Sequence, residues 1–358
     1  MSIALRSLVP LASAITMFAW PRVEAVEPRP NILFILADDL GWSDPACYGN
    51  KYFETPHLDR LASEGLRFTQ AYAPAPICSA SRAALLTGKT PARLHFEFVT
   101  KTTPGFQPMV TPLRAPSYPL DLPLEENTIA EVLADSGYET AFFGKWHLNR
   151  HHNGYLGWSP THGPRGQGFA VAENDFGSHP YAYYRDRSQR TFVDLPDGTF
   201  LEDGLTAKAV QFLEQERDSP FFLFVSHYHV HDPIHTRLRW LHDRCLARIP
   251  ASHPRREVLA HYGAMVATLD HHVGELLATL EARGLSDSTL VVFTSDNGGH
   301  PQYAGNAPLR GSKWNLYEGG IRVPLIARWP GRIEPGETCD APVCGTDLFP
   351  TFAEVAEA

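Results

Sequence analysis

Cysteine is scarce in this chain, with five in 358 residues: Cys47, Cys78, Cys245, Cys339 and Cys344. No two of them form a Cys-x-x-Cys pair, so nothing in their spacing argues for zinc. Runs of lysine or arginine are missing and the formal net charge is -9, which argues against nucleic acid as a partner. Beyond the first residues, no apolar segment is long enough to cross a bilayer, and no internal repeat is found.

What the chain does have is core material. Its 43% hydrophobic, 11% aromatic and 20% charged residues suit a globular enzyme of one large domain or two ordinary ones. The start reads as an export leader: Arg6, an apolar stretch from Leu8 to Trp20 broken by Pro10, then Pro21 and the small-residue site Val23-Glu24-Ala25. Residues 1–25 are therefore expected to be a cleaved signal peptide, with an uncleaved anchor as the alternative, and the chain to be periplasmic or extracellular without stable membrane insertion. In such an oxidising compartment Cys339 and Cys344 either bridge a short loop or stay free thiols.

Residues 31–37, Asn-Ile-Leu-Phe-Ile-Leu-Ala, form a continuous apolar run, the pattern of a strand buried on both faces of a parallel sheet. The same form recurs at 138–143, 220–226, 289–294 and 323–328. Helical patterns lie between: Pro56 to Glu64 with Thr55 as N-cap, Thr128 to Ser136, Asp203 to Glu216, and about Arg256 to Arg283. This alternation predicts an α/β fold with a largely parallel central sheet flanked by helices. Two stretches fit neither pattern: a proline-rich excursion over about 94–124, and a segment rich in His, Gly, Tyr and Arg over 149–198. Both are expected to wall a substrate cleft.

Four of the strands end in polar clusters: Asp38-Asp39, Lys145 with His147, His227 through Asp232, and Asp296-Asn297. In open α/β sheets ligands bind outside the carboxyl ends of strands, so these clusters are expected to meet. Asp38, Asp39, Asp296 and Asn297 offer only hard oxygen donors, which favour calcium or magnesium over a transition metal. Arg82, Lys145 and Lys313 are the cations expected to surround an anionic head group. Cys78 opens a short predicted helix with Arg82 one turn further on, an arrangement that holds an anion beside a reactive side chain.

The segment Cys78-Ser79-Ala80-Ser81-Arg82 resembles the signature of the type I, formylglycine-dependent sulfatases of the alkaline phosphatase superfamily. The resemblance extends in order through Asp38-Asp39-Leu40-Gly41-Trp42, Gly144-Lys145-Trp146-His147-Leu148, Ser295-Asp296-Asn297-Gly298-Gly299 and Arg310-Gly311-Ser312-Lys313 to Asp347-Leu348-Phe349-Pro350-Thr351. It implies an alkaline-phosphatase-like three-layer sandwich, with residues 28–358 as the catalytic domain. The branch most resembled is that of the arylsulfatases and N-acetylgalactosamine-6-sulfatases, which implies a sulfated sugar or polysaccharide as substrate.

Carried over residue by residue, the resemblance has Asp38, Asp39, Asp296 and Asn297 hold Ca2+ (or Mg2+), with position 78 as a further ligand. A maturation enzyme converts Cys78 to formylglycine, whose hydrate attacks sulfur with one hydroxyl and expels sulfate with the other. Arg82 steadies that residue, Lys145, His147 and Lys313 contact the sulfate, and His231 is the general acid, with His229 or His227 as alternative registers. Ala80 replaces the commoner proline, a form that resembles the sites handled by radical-type maturation enzymes. The chain stops at Ala358, where the family continues into a smaller carboxy-terminal domain, so it reads as a fragment or a shortened member. The competing functions are a phosphodiesterase or phosphonate monoester hydrolase of the same superfamily, and a sulfated-glycan binder with unmodified Cys78. Within the second excursion, the Tyr- and His-rich loop from His179 to Arg190 is expected to line the sugar site, with Tyr183 and Tyr184 contributing to polysaccharide binding.

Overall fold

The computed structural model describes residues 29–99, 112 and 118–358. The expected leader and much of the proline-rich excursion lie outside the described residues. Nine strands make one sheet: β1 (Asn31–Ala37), β2 (Leu66–Tyr72), β3 (Glu139–Gly144), β4 (Val171–Glu173), β5 (Phe221–Ser226), β6 (Thr289–Ser295), β7 (Arg322–Arg328), β8 (Glu337–Cys339) and β9 (Val343–Cys344). Their order is β4-β3-β5-β1-β6-β7-β2-β8, with β9 also paired to β2.

The apolar runs become strands covered on both sides because alternate side chains point to opposite faces. In β1, Leu33, Ile35 and Ala37 enter one core while Ile32, Phe34 and Leu36 enter the other. The first core is closed by α1 (Pro56–Ser63), α5 (Gly204–Glu214), α6 (Arg239–Arg248) and α7 (Arg256–Ala282). The second is closed by α2 (Cys78–Thr87), the short α3 (Pro91–Leu94), α4 (Ile129–Asp135) and α9 (Leu348–Val355), while a short α8 (Glu318–Ile321) leads into β7. The result is the expected three-layer sandwich.

Strand β7 departs from its neighbours. Its apolar run reads like theirs, yet it lies antiparallel to both β6 and β2, because burial on two faces fixes composition and not direction. The cysteines are free. Cys339 sits opposite Phe68 and Cys344 opposite Tyr72 along the same strand. Four residues of strand separate them by roughly 13 Å, beyond the reach of a disulfide.

Candidate active site

Strands β3, β5, β1 and β6 are adjacent and parallel, so their carboxyl ends open on one edge of the sheet. That edge receives Lys145 and His147 from β3, His227 to Asp232 from β5, Asp38 and Asp39 from β1, and Asp296 and Asn297 from β6. Two backbone groups tie the exits of β1 and β6 together: Asp39 N–H donates to Asp296 Oδ1 at 3.1 Å and Leu40 N–H to Ser295 Oγ at 3.0 Å. Asp39 takes a left-handed backbone, φ 63, which turns the chain sharply off the strand end.

Helix α2 delivers Cys78 and Arg82 to the same place. Cys78 is 1% exposed, its sulfur 3.6 Å from Asp38 Oδ1 and 3.8 Å from Asp39 Oδ1. Arg82 is the hub of the scaffold. Its guanidinium donates to Asp296 Oδ2 through Nε at 2.8 Å, with a second nitrogen 2.7 Å from the same oxygen, and to Ser226 Oγ at 2.6 Å and the Lys145 carbonyl at 2.8 Å. One rigid fork thus holds the exits of β6, β5 and β3, a geometry lysine cannot reproduce. His147, also left-handed at φ 58, is fixed by Ser79, whose hydroxyl donates to its carbonyl at 2.7 Å.

The buried charges pair off. Lys145 Nζ lies 2.5 Å from Asp38 Oδ2, and Lys313 bonds Asp39 Oδ2. Burial raises the cost of charging Asp38, but Lys145, His231, Arg82 and Lys313 outweigh it and hold the carboxyl well below its usual range. Asp39 is lowered too, with burial opposed chiefly by Lys313 and His231. Asp296 goes the other way, to about 6, because burial exceeds the help of Arg82. Burial also pushes the Cys78 thiol up, against Lys145 and Lys313, so the unmodified side chain is a poor thiolate. His147 is held well below its ordinary value by burial and by Lys145 and Arg82.

The donor set fits a divalent metal ion. Asp38, Asp39, Cys78 and His231 bring one ligand atom each within 4.8 Å of one another. Asn297 adjoins them, its amide donating to Asp39 Oδ1 at 2.8 Å. Its own Oδ1 is buried and accepts no hydrogen bond among the described residues. A buried carbonyl oxygen without a donor costs about 1–3 kcal/mol, which a cation beside the carboxylates removes. Asp296, with one oxygen on Asp39 N–H and the other on Arg82, adjoins the cluster through those bonds.

Of the three candidate histidines, His231 reaches the cluster, with Nε2 3.5 Å from Asp39 Oδ2. His227 and His229 are buried and turn toward His272. The Tyr- and His-rich loop from His179 to Arg190 supplies two supporting residues to which the sequence pattern assigns no individual role. His179 Nε2 bonds the His231 carbonyl at 2.9 Å and Tyr181 O–H meets His231 Nδ1 at 2.8 Å. Tyr183, expected in the cleft, is instead 7% exposed and donates to the His235 carbonyl at 3.1 Å. Tyr184 is half-buried with Arg190 over its ring.

A sequence profile described as Sulfatase matches residues 30–358. The chain belongs to the sulfatase family. It is 36% identical to arylsulfatase A of Homo sapiens over 93% of this chain and 65% of that one. With N-acetylgalactosamine-6-sulfatase of Rattus norvegicus it shares 33% identity over 98% of this chain and 65% of the relative. The chain thus spans just under two thirds of the length of these two curated relatives. Among solved structures, Ps i-CgsB in complex with k-i-k-neocarrahexaose matches with a TM-score of 0.73 and 30% identity, over 92% of this chain and 72% of that one. These matches agree with the alkaline-phosphatase-like sandwich.

Proposed function

We propose that the chain hydrolyses a sulfate monoester of a sulfated sugar or polysaccharide to an alcohol and inorganic sulfate. The observation that carries this reading is the setting of Cys78: first residue of α2, 1% exposed, and packed against Asp38 and Asp39 with Arg82, Lys145 and Lys313 buried around it. Asp38, Asp39, Asp296, Asn297 and position 78 would hold the divalent cation, and their oxygen-rich set suits calcium or magnesium. When bound, such an ion polarises an ester or nucleophile oxygen and lowers the cost of the developing negative charge. Converted to formylglycine by a maturation enzyme, position 78 supplies a hydrated aldehyde with one hydroxyl for attack and one for release of sulfate.

The chain's own residues supply the rest. Arg82 locks the strand ends and α2 so that position 78 is fixed against the carboxylates. Lys145 and Lys313 each have an ammonium group at the cluster and bind sulfate oxygens, with His147 beside them. His231 gives the departing alkoxide its proton. We assign the transfer to Nε2, which faces Asp39, because Nδ1 lies 2.8 Å from the Asp232 carbonyl, which only accepts, and keeps its proton there. The relatives' names, an arylsulfatase and an N-acetylgalactosamine-6-sulfatase, support sulfate ester chemistry, and the neocarrahexaose complex supports a carbohydrate substrate. No helix of the described residues is long and apolar enough to cross a membrane. We read residues 1–25 as a leader that exports the catalytic domain, residues 28–358, to the periplasm or outside the cell.

Mass spectrometry of the Cys78 peptide, from protein made in its native host, tests the reading together with parallel assays on sulfate monoesters, phosphate diesters and phosphonate monoesters. The expected result is formylglycine at position 78 and turnover strongest on the sulfate esters. An active preparation with only the thiol refutes the mechanism, and a preference for phosphate diesters or phosphonates refutes the substrate class.

A further inference from the structure

Away from the strand ends, a second group of ligating side chains stands between α6 and α7. His242 on α6 and Glu257 and His261 on α7 bring one donor atom each within 4.8 Å of one another. Glu257 and His261 are four residues apart and so share a helix face. His242 is 4% exposed whereas the Glu257 side chain is 70% exposed, so the group is rooted in the core and open to solvent.

The bonding of His242 makes this group informative. Its Nδ1 lies 3.1 Å from Asp243 Oδ1, a carboxylate oxygen that accepts, so Nδ1 carries a proton. Nε2 is then the nitrogen left for a ligand. It lies 3.0 Å from Glu257 Oε1, yet it is buried and makes no hydrogen bond among the described residues. A ring nitrogen and a carboxylate oxygen at that separation need either a proton or a metal ion between them. Two ligands each about 2.0 Å from a tetrahedral ion stand about 3.3 Å apart, close to the distance seen here. A carboxylate behind the other ring nitrogen is also the usual support of a metal-bound histidine.

His261 completes the set at a small cost. Burial first, then His242 and His235, lowers its pKa to about 4, so the ring is neutral and able to ligate. It lies flat on Phe192, with ring planes 6° apart, and this fixes its orientation. Thr236 N–H donates to its Nδ1 at 3.2 Å, a long bond that ligation would displace. The neighbouring trio His271, His272 and Glu275 is less suitable. Both nitrogens of His272 are already committed there, one to Glu275 at 2.9 Å and the other near Asp203 and Ser178.

We propose that His242, Glu257 and His261 form a second metal site, distinct from the cluster around Asp38 and Asp39, that clips α6 to α7. Two imidazoles and one carboxylate suit a borderline transition ion, Zn2+ in particular, and not the oxygen-only preference of calcium. The site does not depend on the hydrolytic reading above.

The test is calorimetric titration of the chelator-stripped, Ca2+-saturated protein with ZnCl2, with thermal unfolding followed in parallel. Wild type is expected to take up Zn2+ with a rise in Tm. Glu257→Gln, a surface change that leaves folding and ester hydrolysis intact, is expected to weaken uptake at least about 10-fold and remove most of the Tm rise. His242→Gln is expected to do the same where it folds. No Zn2+ uptake by wild type, or uptake of equal stoichiometry and affinity in Glu257→Gln, overturns the proposal.

Discussion

The hydroxyl of Tyr181 lies 2.8 Å from Nδ1 of His231, the nitrogen that also donates to the Asp232 carbonyl. His179 reinforces this support. Tyr181 N–H donates to its Nδ1 at 3.1 Å, so Nε2 carries the proton and donates to the His231 carbonyl. The loop after β4 therefore holds both the ring and the backbone of the proposed general acid. Tyr181→Phe removes one hydrogen bond and keeps the ring against Phe176 and Tyr228. A net bond of about 0.5–1.5 kcal/mol predicts a kcat lower by roughly 2–10-fold, with KM little changed and the limb of the pH–rate profile assigned to His231 displaced. Steady-state kinetics across pH checks this; an unaltered kcat and profile would show that the contact has no part in proton transfer.

Trp314 follows directly on Lys313 and is 54% exposed, with Leu316 at 79% and Tyr317 at 49% nearby. Its backbone is left-handed at φ 73, a costly state for a bulky residue, and is held there by a bond from its N–H to the Pro76 carbonyl at 2.9 Å. An exposed aromatic fixed beside the lysine proposed to bind sulfate is suited to stack on a sugar ring whose sulfate lies deeper in the site. Trp314→Ala is expected to raise KM for a sulfated oligosaccharide by roughly 2–10-fold, the scale of one aromatic contact. Values for a small aryl sulfate should stay within about twofold. Equal losses on both substrates would assign Trp314 to the architecture of the site.

Asp38, Asp39, Lys145, His147, His231, Asp296 and Asn297 were legible in the sequence because each follows a strand that the apolar runs locate, whereas Cys78, Arg82 and Lys313 were singled out by their own motifs. β1 coincides with the predicted 31–37, and β3, β5, β6 and β7 fall within a residue of their predicted bounds. Tyr181 and His179 were not individually legible, since their roles rest on a loop folding back over fifty residues of sequence onto His231. Helix α6 was missed because half of its ten residues, Arg-Trp-Leu-His-Asp-Arg-Cys-Leu-Ala-Arg, are charged or histidine and it buries only Leu241, His242 and Cys245. The cap of α1 shows the same limit. Thr55 makes no capping bond there; Asp270 of α7 instead accepts from His57 N–H at 3.1 Å and Leu58 N–H at 2.8 Å. A helix end capped by a distant side chain leaves no local signature.

That same Asp270 enters a contest that sets the stability of the protein against pH. Burial raises Asp270 and Asp44 to about 7, against the backbone donors that each accepts. Each therefore holds a proton in the folded state that the unfolded chain has lost, which lowers stability as pH rises from about 4 to about 7. Four histidines act in the opposite sense. Burial lowers His179 to about 3 and His227 to about 4, and holds His147 and His229 well below their ordinary value. Each is neutral when folded and protonates below about 6.5 once unfolded, so its contribution is lost as pH falls. Asp296, raised to about 6, joins the acids and His261, lowered to about 4, joins the histidines. Each fully separated group contributes at most about 1.4 kcal/mol per pH unit, so the five depressed histidines outweigh the three raised acids. Stability is expected to fall as pH drops from about 6.5 to 4. Asp270→Asn removes one opposing acid, and although it lowers stability overall, it should make that fall steeper. Denaturant unfolding of both proteins at pH 4.5, 5.5 and 6.5 measures the two slopes; a shallower slope in the variant would mean that Asp270 is ionised in the folded protein throughout this range.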